Sequence, residues 1–337
     1  MAQKIISRIM CGGAGTRLGP ASREVRPKQF LPLFGTRSTF QDTLTRVSDK
    51  SWRPIVITNA AFRLMVRGQL AEIGIEADVL LEPVRRDSGP AIAARAAFAL
   101  TRDRDAVVLA LAADHVVRDT PAFVAACREG LVAAEAGRIV TFGIKPERPA
   151  TEYGYVNPGE AVAGEVRSVA KFVEKPDAAK AAEYIKAGYL WNSGNFMFRA
   201  SVLLDEYRTF DASGVEAVNN SVSKAGRDLG FVTLDREAFG SAKAISIDYA
   251  VMEKTALAAV VPVSGGWSVS APGTRCGSCS TRMQKATPLR AEPCSRIRAT
   301  AMSQPTRRWW RSKASTTSWW WRPRTLSLCR GRRTPTG

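Results

Sequence analysis

Short apolar segments that alternate with longer stretches of helical periodicity restrict the fold of this chain most strongly. Between residues 5 and 144, apolar runs fit buried strands at 5–10, 54–58, 77–81, 106–111 and 139–144. Helical spacing lies between them, at 38–47, 60–73, 89–100 and 121–136. This alternation predicts a doubly wound α/β fold with a mainly parallel sheet covered by helices on both faces. Ligands of such sheets bind beyond the carboxyl ends of the strands.

Two helices are predicted in more detail. The sequence Ser38-Thr39-Phe40-Gln41 is typical of a capping box, so we expect the first helix to begin there. A later helix is predicted over residues 176–187, with Ala182, Ile185 and Ala187 packing inward.

A glycine-rich loop follows the first predicted strand. Gly12, Gly13 and Gly15 let the backbone turn sharply and leave N–H groups that can donate to a phosphate. Arg17 and Lys28 add two positive charges. The loop lacks the Lys-Ser or Lys-Thr of a Walker loop and the third glycine of a dinucleotide fingerprint. The residues alone leave two interpretations open: a triphosphate-binding loop, or a plain connection between a strand and a helix.

The extended pattern G-G-x-G-T-R-L, followed by R-P-K-Q, resembles the signature of the sugar-1-phosphate nucleotidylyltransferases, and most closely that of the mannose-1-phosphate guanylyltransferases. The resemblance implies that the loop, with Thr16 and Arg17, holds a nucleoside triphosphate and that Lys28 contacts the reacting phosphate. Gly19 departs from the pattern, since that family usually has a tryptophan there.

Residues 82–91 resemble the family's segment E-P-x-x-R-N-T-A-P-A, which lies near the nucleotide base. The resemblance implies nucleotide-binding roles for Arg86 and Asp87, although Asp87 stands where the family has asparagine. A carboxylate can accept hydrogen bonds from the N–H groups of guanine, so this departure is compatible with GTP. Without the resemblance, a polar loop that caps the next helix is the alternative.

Ala113-Asp114-His115 follows the fourth predicted strand and resembles the family's metal-binding S-D-H. The resemblance implies that Asp114 holds Mg²⁺ between the α-phosphate and the sugar phosphate, in keeping with the oxygen ligands that Mg²⁺ prefers. An aspartate at the end of a strand is otherwise more often a cap. Because His115 is the single histidine, a metal site with several histidines is excluded, and we expect His115 to be structural.

Two segments resemble sugar-binding motifs of the family. T-E-Y-G-Y at 151–155 departs from T-G-Y-G-Y at its second residue, and the resemblance implies that the backbone of Gly154 faces the sugar. E-K-P at 174–176 implies that Glu174 binds sugar hydroxyls and that Lys175 binds the sugar phosphate. We predict both on a strand, where successive side chains point to opposite faces unless a bulge intervenes. From the residues alone, a solvated Glu-Lys edge is the alternative.

Two later segments complete the resemblance. W-N-S-G at 191–194 implies that Asn192 donates to and accepts from a pyranose. I-D-Y-A-V-M-E-K at 247–254 resembles a helix of the family, which we expect to contribute mostly packing, with Asp248 at the edge of the pocket.

The formal net charge of +18 is unevenly distributed. Residues 1–268 contain 34 Lys and Arg against 30 Asp and Glu, whereas residues 269–337 contain 15 against one. The charge therefore does not indicate a nucleic-acid-binding protein, because it is concentrated in one tail. The sequence contains no early charged-then-apolar leader and no apolar run of about 18 residues. We therefore expect a cytoplasmic protein with no membrane partner.

Residues 269–337 break the pattern, with four of the six cysteines, five of the eight tryptophans and no regular periodicity. A basic aromatic arm for nucleic acid or a zinc site at Cys276 and Cys279 are functional alternatives. A shifted reading frame explains the tail better, because deleting one A from an aspartate codon at position 269 converts the family's D-V-G-S-W into V-S-A-P-G. We predict a nucleotidyltransferase domain over 1–268 and a non-native, disordered tail over 269–337. The shift would also remove the family's second metal ligand.

The resemblance covers about residues 3–268 and implies an enzyme that makes GDP-mannose and pyrophosphate from GTP and mannose 1-phosphate, for polysaccharide precursor supply. The sugar phosphate would attack the α-phosphorus directly, with Mg²⁺, Arg17, Lys28 and Lys175 neutralising charge. The alternatives are another pair of nucleotide and hexose phosphate, and a catalytically impaired nucleotide-sugar-binding protein. No nucleic-acid partner is expected, and homo-oligomer formation is left open.

Overall fold

A computed structural model describes residues 5–11, 27–47, 53–263 and 266–269 of the chain. Its longer strands are β1 (Ile5–Cys11), β2 (Ile55–Asn59), β3 (Asp78–Glu82), β4 (Val107–Ala112), β6 (Ile139–Ile144), β7 (Tyr155–Ala163), β8 (Val166–Val173), β9 (Leu190–Arg199) and β12 (Ala258–Val263). Four short strands are β5 (His115–Val117), β10 (Gly226–Asp228), β11 (Phe231–Thr233) and β13 (Trp267–Val269). The strands predicted between residues 5 and 144 are confirmed to within one residue at their ends.

The helices lie between these strands. They are α1 (Thr39–Val47), α2 (Arg63–Glu72), α3 (Ser88–Leu100), α4 (Thr120–Glu135), α5 (Ala178–Lys186), α6 (Ala200–Phe210), α7 (Ala212–Ser223) and α8 (Arg236–Ser241). A 3-10 turn precedes α2 at Ala60–Phe62, and a π-helical turn covers Asp248–Met252. None of the described helices is long and apolar enough to cross a membrane.

Among the described residues, eleven strands form one mixed sheet in the order β10-β11-β3-β2-β1-β4-β9-β6-β12-β8-β7. The run from β11 to β4 is parallel throughout. Strand β9 is antiparallel to both β4 and β6. The antiparallel β7–β8 hairpin lies at the end of the strand order. The predicted α/β fold is therefore confirmed, with a parallel centre. Beyond β4, the β6–β12 pair is also parallel and the other pairings are antiparallel. Strands β5 and β13 form a separate antiparallel pair.

Helices cover both faces of the sheet, as predicted. Successive residues of a strand point to opposite faces, so Ile55 and Ile57 of β2 enter one hydrophobic cluster while Val56 enters another. The first cluster includes residues of α3, α6, α7 and α8, and the second includes residues of α1, α2 and α4. This two-sided burial leaves the ends of the strands as the open part of the sheet.

The details of two helix termini follow from local sequence. Ser38 and Gln41 form the predicted capping box: the N–H of Gln41 donates to Oγ of Ser38 at 3.2 Å, and the N–H of Ser38 donates to Oε1 of Gln41 at 3.0 Å. The prediction for α5 is partly wrong, because Ala181 is its buried residue and Ala187 is exposed. Asp177 caps the helix through a bond of 2.8 Å from the N–H of Lys180, so the helix begins at Ala178 instead of Pro176.

Candidate active site

Some of the residues predicted from sequence to bind phosphate or metal are described by the structure. These residues lie beyond one edge of the sheet. Strands β1 and β4 are parallel, with Met10 paired to Ala112, so the chain leaves both strands at the same edge. Lys28 begins a 3-10 turn that ends at Phe30, and Asp114 follows β4. Outside the described residues lie Gly12, Gly13, Gly15, Thr16 and Arg17, and their roles stay predictions.

Lys28 and Asp114 form an ion pair. Nζ of Lys28 lies 2.7 Å from Oδ2 of Asp114, and their side chains are 15% and 29% exposed. The turn that carries Lys28 is anchored by Phe30, which packs edge-on against Phe40 with ring centres 5.6 Å apart. Burial opposes ionisation of Asp114, but the nearby His115 and Lys28 outweigh it and hold the pKa of this carboxyl below its usual value. Asp114 is therefore ionised at neutral pH.

His115 is a buried neighbour of this pair. Its ring packs edge-on against Trp267, with centres 5.2 Å apart, and Nε2 lies 3.9 Å from Oδ1 of Asp114. Burial lowers the pKa of His115 to about 4, although Asp114 acts in the opposite direction. The imidazole is thus neutral at pH 7, which leaves Lys28 as the charged neighbour of Asp114. In the β5–β13 pair, His115 lies opposite Val269, the position where we predict the loss of a metal-binding aspartate.

Asp114 carries the predicted metal site. Within the described part of the chain, no group of three or more His, Cys, Asp and Glu residues could hold a metal ion by itself. Asp114 offers one ionised, partly exposed carboxylate. That donor fits Mg²⁺ held by one or two carboxylates together with substrate phosphate oxygens and water.

The loop between β3 and α3 carries the residues predicted to bind the base. Arg86 donates through Nε to the carbonyl of Gly240 at 2.9 Å. Asp87 has a φ of 63°, which is uncommon outside glycine, and its Oδ1 accepts from the N–H of Ser88 at 2.7 Å. Asp87 thus caps α3, as the helix-capping alternative predicts. Both side chains have contacts that shape the loop, and their contact with a base stays a prediction.

Gly154, Glu174 and Asn192, which come from three separate sequence segments, meet in one cluster. The N–H of Asn192 donates to the carbonyl of Gly154 at 2.8 Å. A Cβ at position 154 would lie 2.4 Å from Oε2 of Glu174 and 3.3 Å from Cβ of Asn192. A side chain at position 154 would therefore displace the carboxylate of Glu174. The structure therefore brings together the residues predicted to contact the sugar.

The prediction that Glu174 and Lys175 lie on a strand is wrong. Strand β8 ends at Val173, and Lys175 has a φ of 45° in the left-handed region. Because the strand ends before these residues, their side chains do not have to point to opposite faces of the sheet. Nζ of Lys175 pairs with Oε1 of Glu174. Glu174 is 6% exposed and Lys175 is 58% exposed, so the carboxylate faces the cluster while the ammonium group reaches solvent.

Asn192 is held in one orientation by its neighbours. Its Oδ1 accepts from Oγ1 of Thr141 at 2.8 Å and from the N–H of Gly194 at 3.1 Å, which uses both lone pairs. Its Nδ2 donates to Oδ1 of Asp248 at 2.9 Å. The expectation that Asn192 also accepts from a pyranose does not agree with these bonds, since only its N–H side remains for a sugar.

Strand β9 connects the two groups of residues. Oδ1 of Asn195 accepts from the N–H of Ala112 at 3.0 Å, two residues before Asp114. Asn192 lies three residues before Asn195 on the same strand. The beginning of β9 therefore positions the sugar cluster beside the end of β4, where the Lys28–Asp114 pair lies.

Sequence reasoning missed two residues of this network. Thr141 is fully buried in β6. A polar residue inside the apolar run 139–144 was the signal in the sequence that could have identified it. Glu253 accepts from the N–H of Glu174 at 3.2 Å through Oε1. Glu253 belongs to the I-D-Y-A-V-M-E-K segment, but its spacing from Glu174 in sequence gives no sign of the contact.

Comparison with known proteins identifies the family. A family profile described as nucleotidyl transferase matches residues 7–267. The chain belongs to the nucleotidyl transferase family. A solved structure from Thermus thermophilus, described as a mannose-1-phosphate geranyltransferase, is 36% identical with a TM-score of 0.71, and the match covers 79% of this chain and 76% of that one.

Curated relatives of this nucleotidyl transferase are more similar in sequence. The xanthan biosynthesis protein XanB of Xanthomonas campestris pv. campestris strain B100 is 46% identical over 267 residues. The mannose-1-phosphate guanylyltransferase RfbM of Salmonella typhimurium strain LT2 is 45% identical over 265 residues. These matches cover 78% and 77% of this chain but only 57% and 55% of the two relatives.

Proposed function

We propose that this chain transfers a guanylyl group from GTP to mannose 1-phosphate, forming GDP-mannose and releasing pyrophosphate. The observation that carries the proposal is the link through β9 between the Lys28–Asp114 pair and the cluster of Gly154, Glu174 and Asn192. A charged pair suited to phosphates lies beside a polar cluster suited to sugar hydroxyls. The description of RfbM as a mannose-1-phosphate guanylyltransferase supports this choice of substrates.

In the proposed reaction, the oxygen of the sugar phosphate attacks the α-phosphorus of GTP in line, and the bond to pyrophosphate breaks. The residues position the substrates and neutralise charge, since phosphoryl transfer needs little covalent chemistry from the protein. Lys28 would face the reacting phosphate, Lys175 the sugar phosphate, and Arg17 with the glycine loop the triphosphate. Asp114 would hold Mg²⁺, which supplies further charge neutralisation at the phosphates.

The proposed setting is the cytoplasm, with GTP and mannose 1-phosphate as small-molecule partners and no nucleic-acid or membrane partner. The description of XanB as a xanthan biosynthesis protein supports a role in polysaccharide precursor supply.

The test compares GTP, ATP, UTP and dTTP in a pyrophosphate-release assay, each with mannose 1-phosphate and glucose 1-phosphate. The protein as written is assayed beside one whose gene has a nucleotide restored at codon 269, and sequencing across codons 260–275 checks the predicted shift. We expect the highest kcat/KM for GTP with mannose 1-phosphate. Equal or better turnover of dTTP with glucose 1-phosphate would reject the proposal.

A second candidate is a nucleotide-sugar-binding protein with impaired catalysis. It is favoured by Val269, which lies opposite His115 where the resemblance implies a carboxylate. This candidate predicts that the protein as written binds GDP-mannose in calorimetry but releases no pyrophosphate, and that the frame-restored protein does both. Release of pyrophosphate by the protein as written at the rate of the restored one would reject it.

A further inference from the structure

We propose that Asp248 is a positioning residue for the sugar phosphate, because it fixes the amide of Asn192 in the wall formed with Gly154 and Glu174. This inference rests on the proposed function and assigns Asp248 a role beyond packing. It would make the π-helical turn Asp248–Met252 part of the sugar site.

The π-helical turn holds this wall from two sides. The N–H of Glu253 donates to the carbonyl of Asp248 at 2.9 Å, the five-residue spacing that defines the turn. Turns of this kind are rare and often lie at functional sites. Through Oδ1 of Asp248 the turn contacts Asn192, and Oε1 of Glu253, the residue that caps the turn, contacts the backbone of Glu174.

Asp248 determines which side of the Asn192 amide faces a ligand. Thr141 and Gly194 fix the amide oxygen, and Asp248 accepts from Nδ2 at 2.9 Å. Asn192 is 7% exposed, so loss of this acceptor would leave a buried N–H group without its partner. Such a group either stays unsatisfied or turns toward another acceptor, and both outcomes disturb the wall.

The charges around Asp248 give the role a measurable signature. Glu174 and Lys175 face it from the end of β8, and Asn192 faces it from β9. Tyr249 belongs to its own turn, and Glu253 caps that turn. Burial and the charge of Glu174 raise the pKa of Asp248 to about 7, against the opposing effects of Lys175 and Asn192. Above this pKa the cluster gains one negative charge beside Lys175, so a ligand with phosphates should bind more weakly as the pH rises.

Titration calorimetry of the full chain with GDP-mannose and, separately, with GTP tests the role. We expect Asp248→Ala to weaken GDP-mannose about tenfold, which is the effect of one unsatisfied buried donor, and to leave GTP unchanged. Asp248→Asn keeps an oxygen that can accept from Asn192, so it should retain most of the affinity. Asp211→Ala is the matched control, because Asp211 likewise accepts a bond of 2.9 Å, from the N–H of Gly214 in α7, together with one of 3.0 Å from Oγ of Ser213.

The pH profile separates positioning from a merely structural role. Between about pH 6.5 and 8.5 a diphosphate diester such as GDP-mannose keeps a constant charge, so a change in affinity reports the protein. We expect the wild-type dissociation constant to rise across this range and that of Asp248→Asn to stay flat.

Unchanged affinity in Asp248→Ala, or a wild-type pH dependence in Asp248→Asn, would overturn the inference. If Asp248→Ala does not fold, the wild-type and Asp248→Asn profiles decide. Failure of the wild type to bind GDP-mannose at any pH would instead reject the proposed function, and the inference with it.

Discussion

The two ends of the candidate site are built in different ways. At the phosphate end, Lys28 and Asp114 meet in one partly exposed ion pair of 2.7 Å. At the sugar end, Asn192 is nearly fully buried and is held through both its side chain and its backbone. Charge thus dominates the first region and shape dominates the second. Substitutions at the phosphate end should therefore change kcat/KM through transition-state charge, whereas those at the sugar end should change KM for the sugar phosphate.

The largest expected effect is at Lys28. Lys28→Ala should lower kcat/KM on the order of 10²-fold or more, since a donor aimed at developing charge contributes about 3 kcal/mol. Initial rates of pyrophosphate release measure it, and Lys171→Ala, which changes an exposed lysine of β8, is the control. Near wild-type kinetics for Lys28→Ala would show that the ion pair does not serve the reaction.

Gly154 tests the importance of shape at the sugar end. Gly154→Ala would place a Cβ 2.4 Å from Oε2 of Glu174, so Glu174 must move. We expect KM for mannose 1-phosphate to rise about 30-fold, equivalent to about 2 kcal/mol of overpacking, with a smaller change in kcat. Gly68→Ala is the matched control, because its Cβ would meet nothing within 4 Å. A kcat loss without a KM change would contradict the division between the two ends.

Lys175 contributes a positive charge at the sugar end. Because its side chain is 58% exposed, its contribution is screened by solvent and should be smaller than that of Lys28. Lys175→Ala should raise KM for mannose 1-phosphate about tenfold, as expected for one hydrogen bond to a charged group, with little change in kcat. Lys186→Ala, at the exposed end of α5, provides the comparison. A fall in kcat as large as that of Lys28→Ala would mean that both lysines act on the same phosphate.

Local signals in the sequence predicted much of the framework. The capping box of Ser38 and Gln41 was predictable because both partners lie within one helical turn. Strands β1, β2, β3, β4 and β6 were predictable because each one is a short, largely apolar run. Asp114 was placed correctly at a strand end because parallel strands all open at the same edge.

Contacts between distant segments were not predictable in the same way. The bond between Asn192 and Asp248 joins residues 56 positions apart, and no local pattern marks it. Lys175 was wrongly predicted on a strand. Its left-handed backbone depends on the surrounding fold, and no glycine at that position signals it in the sequence. Residues 270–337 of the predicted tail lie outside the described residues, so the disorder of the tail stays a prediction.

The smallest expected effect sharpens the charge side of the comparison. Val269 pairs with His115, the residue after Asp114, across β5 and β13, so Val269→Asp restores an aspartate where the resemblance implies a second metal ligand. Mg²⁺ binds through one or two carboxylates plus phosphate oxygens, and we expect the Mg²⁺ concentration for half-saturation in the presence of GTP to fall about fivefold. Calorimetry measures this without requiring turnover. Ser268→Asp is the matched control, because it adds the same charge one position earlier, opposite Val116 instead of His115. Equal effects of the two substitutions would mean that added negative charge, rather than a ligand at position 269, improves Mg²⁺ binding. No effect of Val269→Asp would remove the argument that the tail replaced a metal-binding aspartate.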